Sequence, residues 1–174
     1  GYSMQWLPVQ VCEQSPAEMP HKKSNTLLED CHTTPLWMWK ELITAYPAIA
    51  EKQVWDPFYF DGKSKSLMEE AGFLHVRTTK GDFFKNVDKW KDCLIVSKPP
   101  FSIKKRIIHD LFIADRPFAL VLPVVTLLAK YFFKGFKQKC RLIFPSKRFR
   151  NEDVHIGCVF VCFKCGPSKT LTWM

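Results

Sequence analysis

Residues 92–102 read Asp92-Cys93-Leu94-Ile95-Val96-Ser97-Lys98-Pro99-Pro100-Phe101-Ser102. Cys93 to Val96 is an unbroken apolar run, and the paired prolines stop it, because proline has no N–H with which to continue a ladder. An unbroken run, in contrast to an alternating one, reads as a strand buried on both faces, the setting of a parallel sheet. The same texture recurs at Gln53-Val54-Trp55 (ending at Asp56-Pro57), Leu74 to Arg77, Phe118 to Leu122, Arg141 to Phe144 and Ile156 to Phe163. Helical spacing lies between these runs. Pro35 opens a helix carrying Leu36, Trp39, Leu42 and Ile43 that stops before Pro47. Lys63 to Ala71 forms a second, closed by Gly72. Ile103 to Phe112 forms a third, with Ile107, Ile108 and Leu111 inward, and Thr126 to Phe136 a fourth. Asp82-Phe83-Phe84 is expected in a loop. Alternation of this kind predicts an α/β fold, a mostly parallel sheet with helices on both faces. Function in such a sheet is expected outside the carboxyl ends of the strands.

The 174 residues suffice for one domain with a substantial core. Residues 1–30, punctuated by Pro8, Pro16 and Pro20, read as an irregular N-terminal arm, and residues 31–174 as the single domain. An apolar fraction of 47% excludes a disordered tail. The longest apolar run, Phe118 to Leu128, holds Pro123 and falls short of the ~20 residues that span a bilayer. Gly1 to Val11 has neither the basic start nor the long apolar centre of a signal peptide. The seven cysteines suggest no disulfide framework, so a reducing intracellular compartment is expected, with the organelle left open, a mitochondrial one included. His155, Cys158, Cys162 and Cys165 have a zinc-like spacing. They fall in a buried-strand pattern instead of turns, so no metal is expected.

Charge divides the chain. Residues 1–97 hold 11 basic and 13 acidic side chains, and residues 98–174 hold 15 basic and 4 acidic, a net of −2 against +11. A half with that field attracts polyanions, nucleic acid first. The basic positions form three groups: Lys104, Lys105 and Arg106; Lys130, Lys134 and Lys137; and Lys147, Arg148 and Arg150. Phe132, Phe133, Phe136 and Phe149 interleave with them, placed either to stack on bases or to fill the core.

Four motifs occur in an order that resembles the amino-group-directed S-adenosylmethionine-dependent methyltransferases of the adenine-N6 type. Thr34-Pro35 matches a Thr-Pro before the first helix. Asp56-Pro57-Phe58 through Gly62 matches the glycine loop after the first strand. Asp82-Phe83 matches the pair that contacts the cofactor adenine, and Lys98-Pro99-Pro100-Phe101 matches the catalytic Asn/Asp-Pro-Pro-Phe/Tyr turn. The resemblance implies a Rossmann-like class I methyltransferase fold over most of the chain, with Thr34, Pro35, Asp56, Pro57, Phe58, Gly62, Asp82 and Phe83 around S-adenosylmethionine. It places Lys98, Pro99, Pro100 and Phe101 at the base pocket; the residues alone read as a proline stop to a buried strand, with Phe101 in the core.

Three departures qualify it. The family's turn uses the Asn/Asp side chain to accept from the target amine; Lys98 has donors only, and its charge opposes the cation forming at nitrogen. Phe60 replaces the family's first loop glycine and must either point away or fill the pocket. Thr78, Thr79 and Lys80 stand where an acid usually meets the ribose. The expectation is therefore a catalytically degenerate methyltransferase-like protein that binds nucleic acid, RNA ahead of DNA, or serves as a scaffold subunit of a ribonucleoprotein or other complex. An active adenine methyltransferase and a protein-only interaction module are the alternatives.

Overall fold

Seven strands assemble because their apolar runs can be buried only between two helical layers. The computed structural model describes residues 30, 32–132, 140–147, 149–151, 154–167 and 171–173. The strands are β1 (Gln53–Asp56), β2 (His75–Thr78), β3 (Leu94–Ser97), β4 (Phe118–Pro123), β5 (Cys140–Phe144), β6 (Phe149–Asn151), β7 (Val154–Ile156), β8 (Cys158–Phe163) and β9 (Leu171–Trp173). The main sheet has the order β2-β1-β3-β4-β8-β5-β9, and β6 pairs with β7 in a separate hairpin. The first four strands in this order run parallel, β8 is antiparallel to both neighbours, and β9 runs parallel to β5.

Alternate residues of β1, β3, β4, β5 and β8 feed two cores. On one face α1 (Leu36–Ala45) and α2 (Ser64–Ala71) bring Met38, Trp39, Leu42 and Met68 onto Val54, Val96, Val121 and Phe160. Trp39 meets Phe160 and Phe73 at ring-centroid distances of 6.1 and 6.3 Å. On the other face α3 (Phe83–Asn86) and α4 (Lys104–Ile113) bring Phe83, Ile107, Ile108 and Leu111 onto Trp55, Ile95, Leu120 and Val161. Gly72 closes α2 at φ 119°, a left-handed conformation that suits glycine. The buried Arg116 guanidinium donates to the carbonyls of Lys89 and Trp90 at 3.0 and 2.9 Å, tying down the segment that leads into β3.

The mostly parallel sheet has one reversed member, β8, which returns antiparallel between β4 and β5. Three expectations change. The run Ile156 to Phe163 is two strands parted at Gly157, whose carbonyl accepts from Val124 N–H at 2.8 Å. Asp82-Phe83-Phe84 is no loop: the Asp82 carboxylate accepts from Phe84 N–H at 2.9 Å and starts α3. The stretch expected to be a helix from Thr126 begins as a 3-10 turn, Val124–Leu128, followed by a helical turn at 130–132. Its remainder, 133–136, lies outside the described residues, as does the arm apart from Asp30.

Leu111 is fully buried beneath the sheet. Leu111→Ala is expected to cost about 2–5 kcal/mol in urea unfolding; an unchanged midpoint would contradict a core packed on this face.

Candidate functional site

The parallel order reverses at β1, with β2 on one side of it and β3 on the other. The crevice outside the carboxyl ends of β1 and β3 is where such a sheet receives ligands. Asp56 ends β1, Ser97 ends β3, and both are buried. The Ser97 hydroxyl donates to the Asp56 carboxylate across the crevice floor, and Phe58 N–H donates to the same oxygen at 3.1 Å. Burial raises the pKa of Asp56 above the ordinary 3.8, with the bonds from Ser64, Ser97 and Phe58 pulling the other way.

The loop after β1 wraps this floor. Phe60 has φ 34°, so a phenylalanine holds a left-handed conformation like that which a glycine supplies easily. Phe60 is 45% exposed, so it is not sealed within the fold. Gly62 has φ 78°, and a Cβ there would stand 2.6 Å from the Tyr59 hydroxyl. The space left by this glycine is thus occupied by Tyr59, and the Lys80 ammonium lies 4.7 Å above the same ring. Thr79, at the end of β2, accepts from the Trp55 indole at 3.0 Å. The Thr33 hydroxyl donates to Asp61 at 2.8 Å, pinning the segment before α1 onto the loop. Thr34, 4% exposed, keeps a buried hydroxyl with no hydrogen-bond partner among the described residues. Pro35 follows it as the residue before α1. Phe58 and Phe83 meet at 5.0 Å; Pro57 and Phe83 are buried, while Asp82 is exposed.

The Pro-Pro turn is closed. Phe101 is 1% exposed and packed with the core of the α1 face, as the proline-stopped strand reading has it, so the stacking on a base that the resemblance implies is not available here. The Lys98 ammonium sits 4.5 Å over its ring. Pro99 is buried and Pro100 partly so. The Asp30 carboxylate accepts from the N–H groups of Phe101 and, at 3.2 Å, Ser102, bridging 71 residues of sequence. Lys104 donates to the Phe101 carbonyl at 2.9 Å.

The basic groups follow the carboxyl ends of strands that run the same way. Lys104, Lys105 and Arg106 come after β3, Lys130 after β4, and Lys147 after β5. Lys105 lies 5.8 Å over the Tyr131 ring, which draws the first two groups together. Arg106 stacks 3.7 Å over Phe84 and approaches Asp110 at 3.9 Å. Lys130 and Lys147 are exposed; Arg150 stands in β6, in the hairpin that follows β5. Lys134, Lys137, Arg148, Phe133 and Phe136 lie outside the described residues. Phe132 is buried, a core residue and not a base platform. Phe149 lies in β6.

Among the described residues no three His, Cys, Asp or Glu side chains are grouped to hold a metal. Burial pushes the Cys140 thiol up to about 12, which keeps it protonated. Asp30 and Tyr59 were not evident as site residues from sequence: one lies in the arm and the other looks like any aromatic beside a motif. Neither a scan against protein-family models nor a search of curated proteins matches this chain.

The raised pKa of Asp56 has a definite consequence. The folded state holds this proton more tightly than the unfolded state, so stability falls as pH rises from 3.8 through the raised value. Asp56→Asn is expected to be more stable than the parent at neutral pH and to lack that fall when urea unfolding is followed from about pH 4 to pH 8. Asp61 works in the opposite sense. Burial raises its pKa, but the bonds from Lys63 N–H and the Thr33 hydroxyl and the nearby Lys63 charge outweigh this and leave it lowered. It therefore favours the fold above 3.8 and loses that effect as pH falls, equally in both proteins. Parallel curves for parent and variant would contradict an unfavourably buried Asp56 carboxylate.

Proposed function

We propose that this chain is a methyltransferase-like protein of Rossmann-like, class I architecture whose catalytic turn has decayed. Its retained role is to bind nucleic acid, RNA ahead of DNA, as a subunit or scaffold of a larger assembly. The observation that carries this reading is the placement of the basic groups. Lys104 to Arg106, Lys130 and Lys147 all emerge at the carboxyl edge, beside a turn where Lys98 stands over a buried Phe101.

Transfer of a methyl group to an exocyclic amine needs an acceptor that orients the amine lone pair and tolerates the developing positive charge. A lysine ammonium supplies neither. Lys98 instead adds a cation to the edge that faces the polyanion. Three features count against the cofactor that the resemblance implies. Tyr59 lies in the space beside Gly62, Asp56 is bonded to Ser97 and Phe58, and Thr78, Thr79 and Lys80 stand where the resemblance has an acid for the ribose. The active-enzyme reading draws on two features, the Thr34 hydroxyl, without a partner among the described residues, and the glycine-like backbone at Phe60. Both are framework that a decayed site would retain.

Binding of an oligoribonucleotide, followed by fluorescence anisotropy against salt, tests the reading. Affinity should fall linearly on logarithmic axes, and replacing Lys104, Lys105 and Arg106 together with alanine should lower the slope by about two. A flat salt response contradicts phosphate contact. No tritium should pass from S-adenosylmethionine to RNA, DNA or protein, and transfer that survives Lys98→Ala establishes the enzyme instead.

A further inference from the structure

The carboxyl edge carries an apolar feature among its charges. After β4 the chain makes the 3-10 turn Val124–Leu128. Three residues per turn place side chains i and i+3 on the same side, so Val125 and Leu128 project together. They are 68% and 76% exposed.

Their support is fixed from beneath. Val124 N–H donates to the Gly157 carbonyl at 2.8 Å, and Ala129 N–H to the Thr126 carbonyl at 3.1 Å. Thr126 is buried in the turn, and Phe132 is buried just beyond it. Two large aliphatic side chains are therefore held out to solvent by a backbone bonded at both ends, where a polar residue would satisfy the turn equally well.

The surroundings indicate what covers them. Lys130 is exposed two residues on, and Lys105 lies over Tyr131 beside it. The fitting occupant combines negative charge with flat apolar faces. A duplex turns phosphates outward and keeps its bases stacked, whereas a single strand offers both together. We propose that Val125 and Leu128 form a platform for unstacked bases of a single-stranded nucleic acid, with Lys105 and Lys130 holding its phosphates. The platform rests on the nucleic-acid reading above and specifies the form of strand that it takes.

The test uses the full chain and a single-stranded RNA carrying 2-aminopurine, whose fluorescence reports unstacking, with the matching duplex as comparison. The double variant Val125→Ser, Leu128→Ser removes no charge and touches only exposed side chains; its melting temperature should match the parent's. It is expected to bind the single strand about tenfold more weakly with the salt slope unchanged, and to lose the 2-aminopurine signal. Unchanged affinity, or equal loss on duplex, overturns the platform while the nucleic-acid reading stands. A parent that binds neither strand nor duplex overturns both. A parent that self-associates while the variant is monomeric, with equal RNA affinity, assigns the patch to protein contact and also overturns it.

Discussion

The Ser97 hydroxyl and the Asp56 carboxylate meet at the one place where the parallel order of the sheet changes direction. Each belongs to a buried strand end, and neither has water to turn to. A buried carboxylate is costly unless hydrogen-bonded, so β1 and β3 are held in register by the need of Asp56 for donors as well as by their ladder. Phe58 N–H adds a further donor and thereby shapes the start of the loop that follows. The positions of Phe60, Tyr59 and Gly62 follow from that start. So does the position of Asp61, which holds Thr33 and the approach to α1.

A parallel sheet sends each crossover back beneath it and leaves its strand-end loops on one edge. Here that edge collects nearly opposite chemistries. Around β1 and β2 the loops are closed by contacts within the protein: Tyr59 against Gly62, Lys80 above Tyr59, and Thr79 bonded to the Trp55 indole N–H. From β3 onward the loops are basic. Asp30, reaching in from the end of the arm, is the acidic side chain bonded at the Pro-Pro turn. On the proposed reading the first half is a cofactor crevice that has filled in, and the second is a polyanion surface that has persisted. A charged surface depends on the number and spacing of cations and survives the loss of one acceptor, whereas transfer to an amine does not.

The parallel core was legible because Val54-Trp55, Leu94 to Val96 and Phe118 to Leu122 are too continuously apolar to lie anywhere but between two layers. The end of β1 at Asp56 was legible because the proline that follows it stops the run locally. The antiparallel return of β8 was not legible, since a continuous apolar run carries no direction. The break at Gly157 was hidden inside such a run, and β9 is too short to stand out. Asp82 looked like a loop residue because helix capping needs only one side chain and one N–H, which leaves little pattern. Phe101 and Phe132 are buried, one of the two readings that the sequence left open for each: beside prolines or lysines, a phenylalanine destined for a base and one destined for the core look the same.

The central claim is that nucleic acid is held by one edge of this sheet. Amide hydrogen exchange on the full chain, with and without a saturating single-stranded oligoribonucleotide, tests it most directly. Protection is expected at residues 98–106, 124–130 and 145–147, the loops beyond β3, β4 and β5. Little change is expected at residues 72–74 and 114–117, which precede β2 and β4 at the opposite edge. Protection confined to that opposite edge, or spread evenly over both, would contradict the claim.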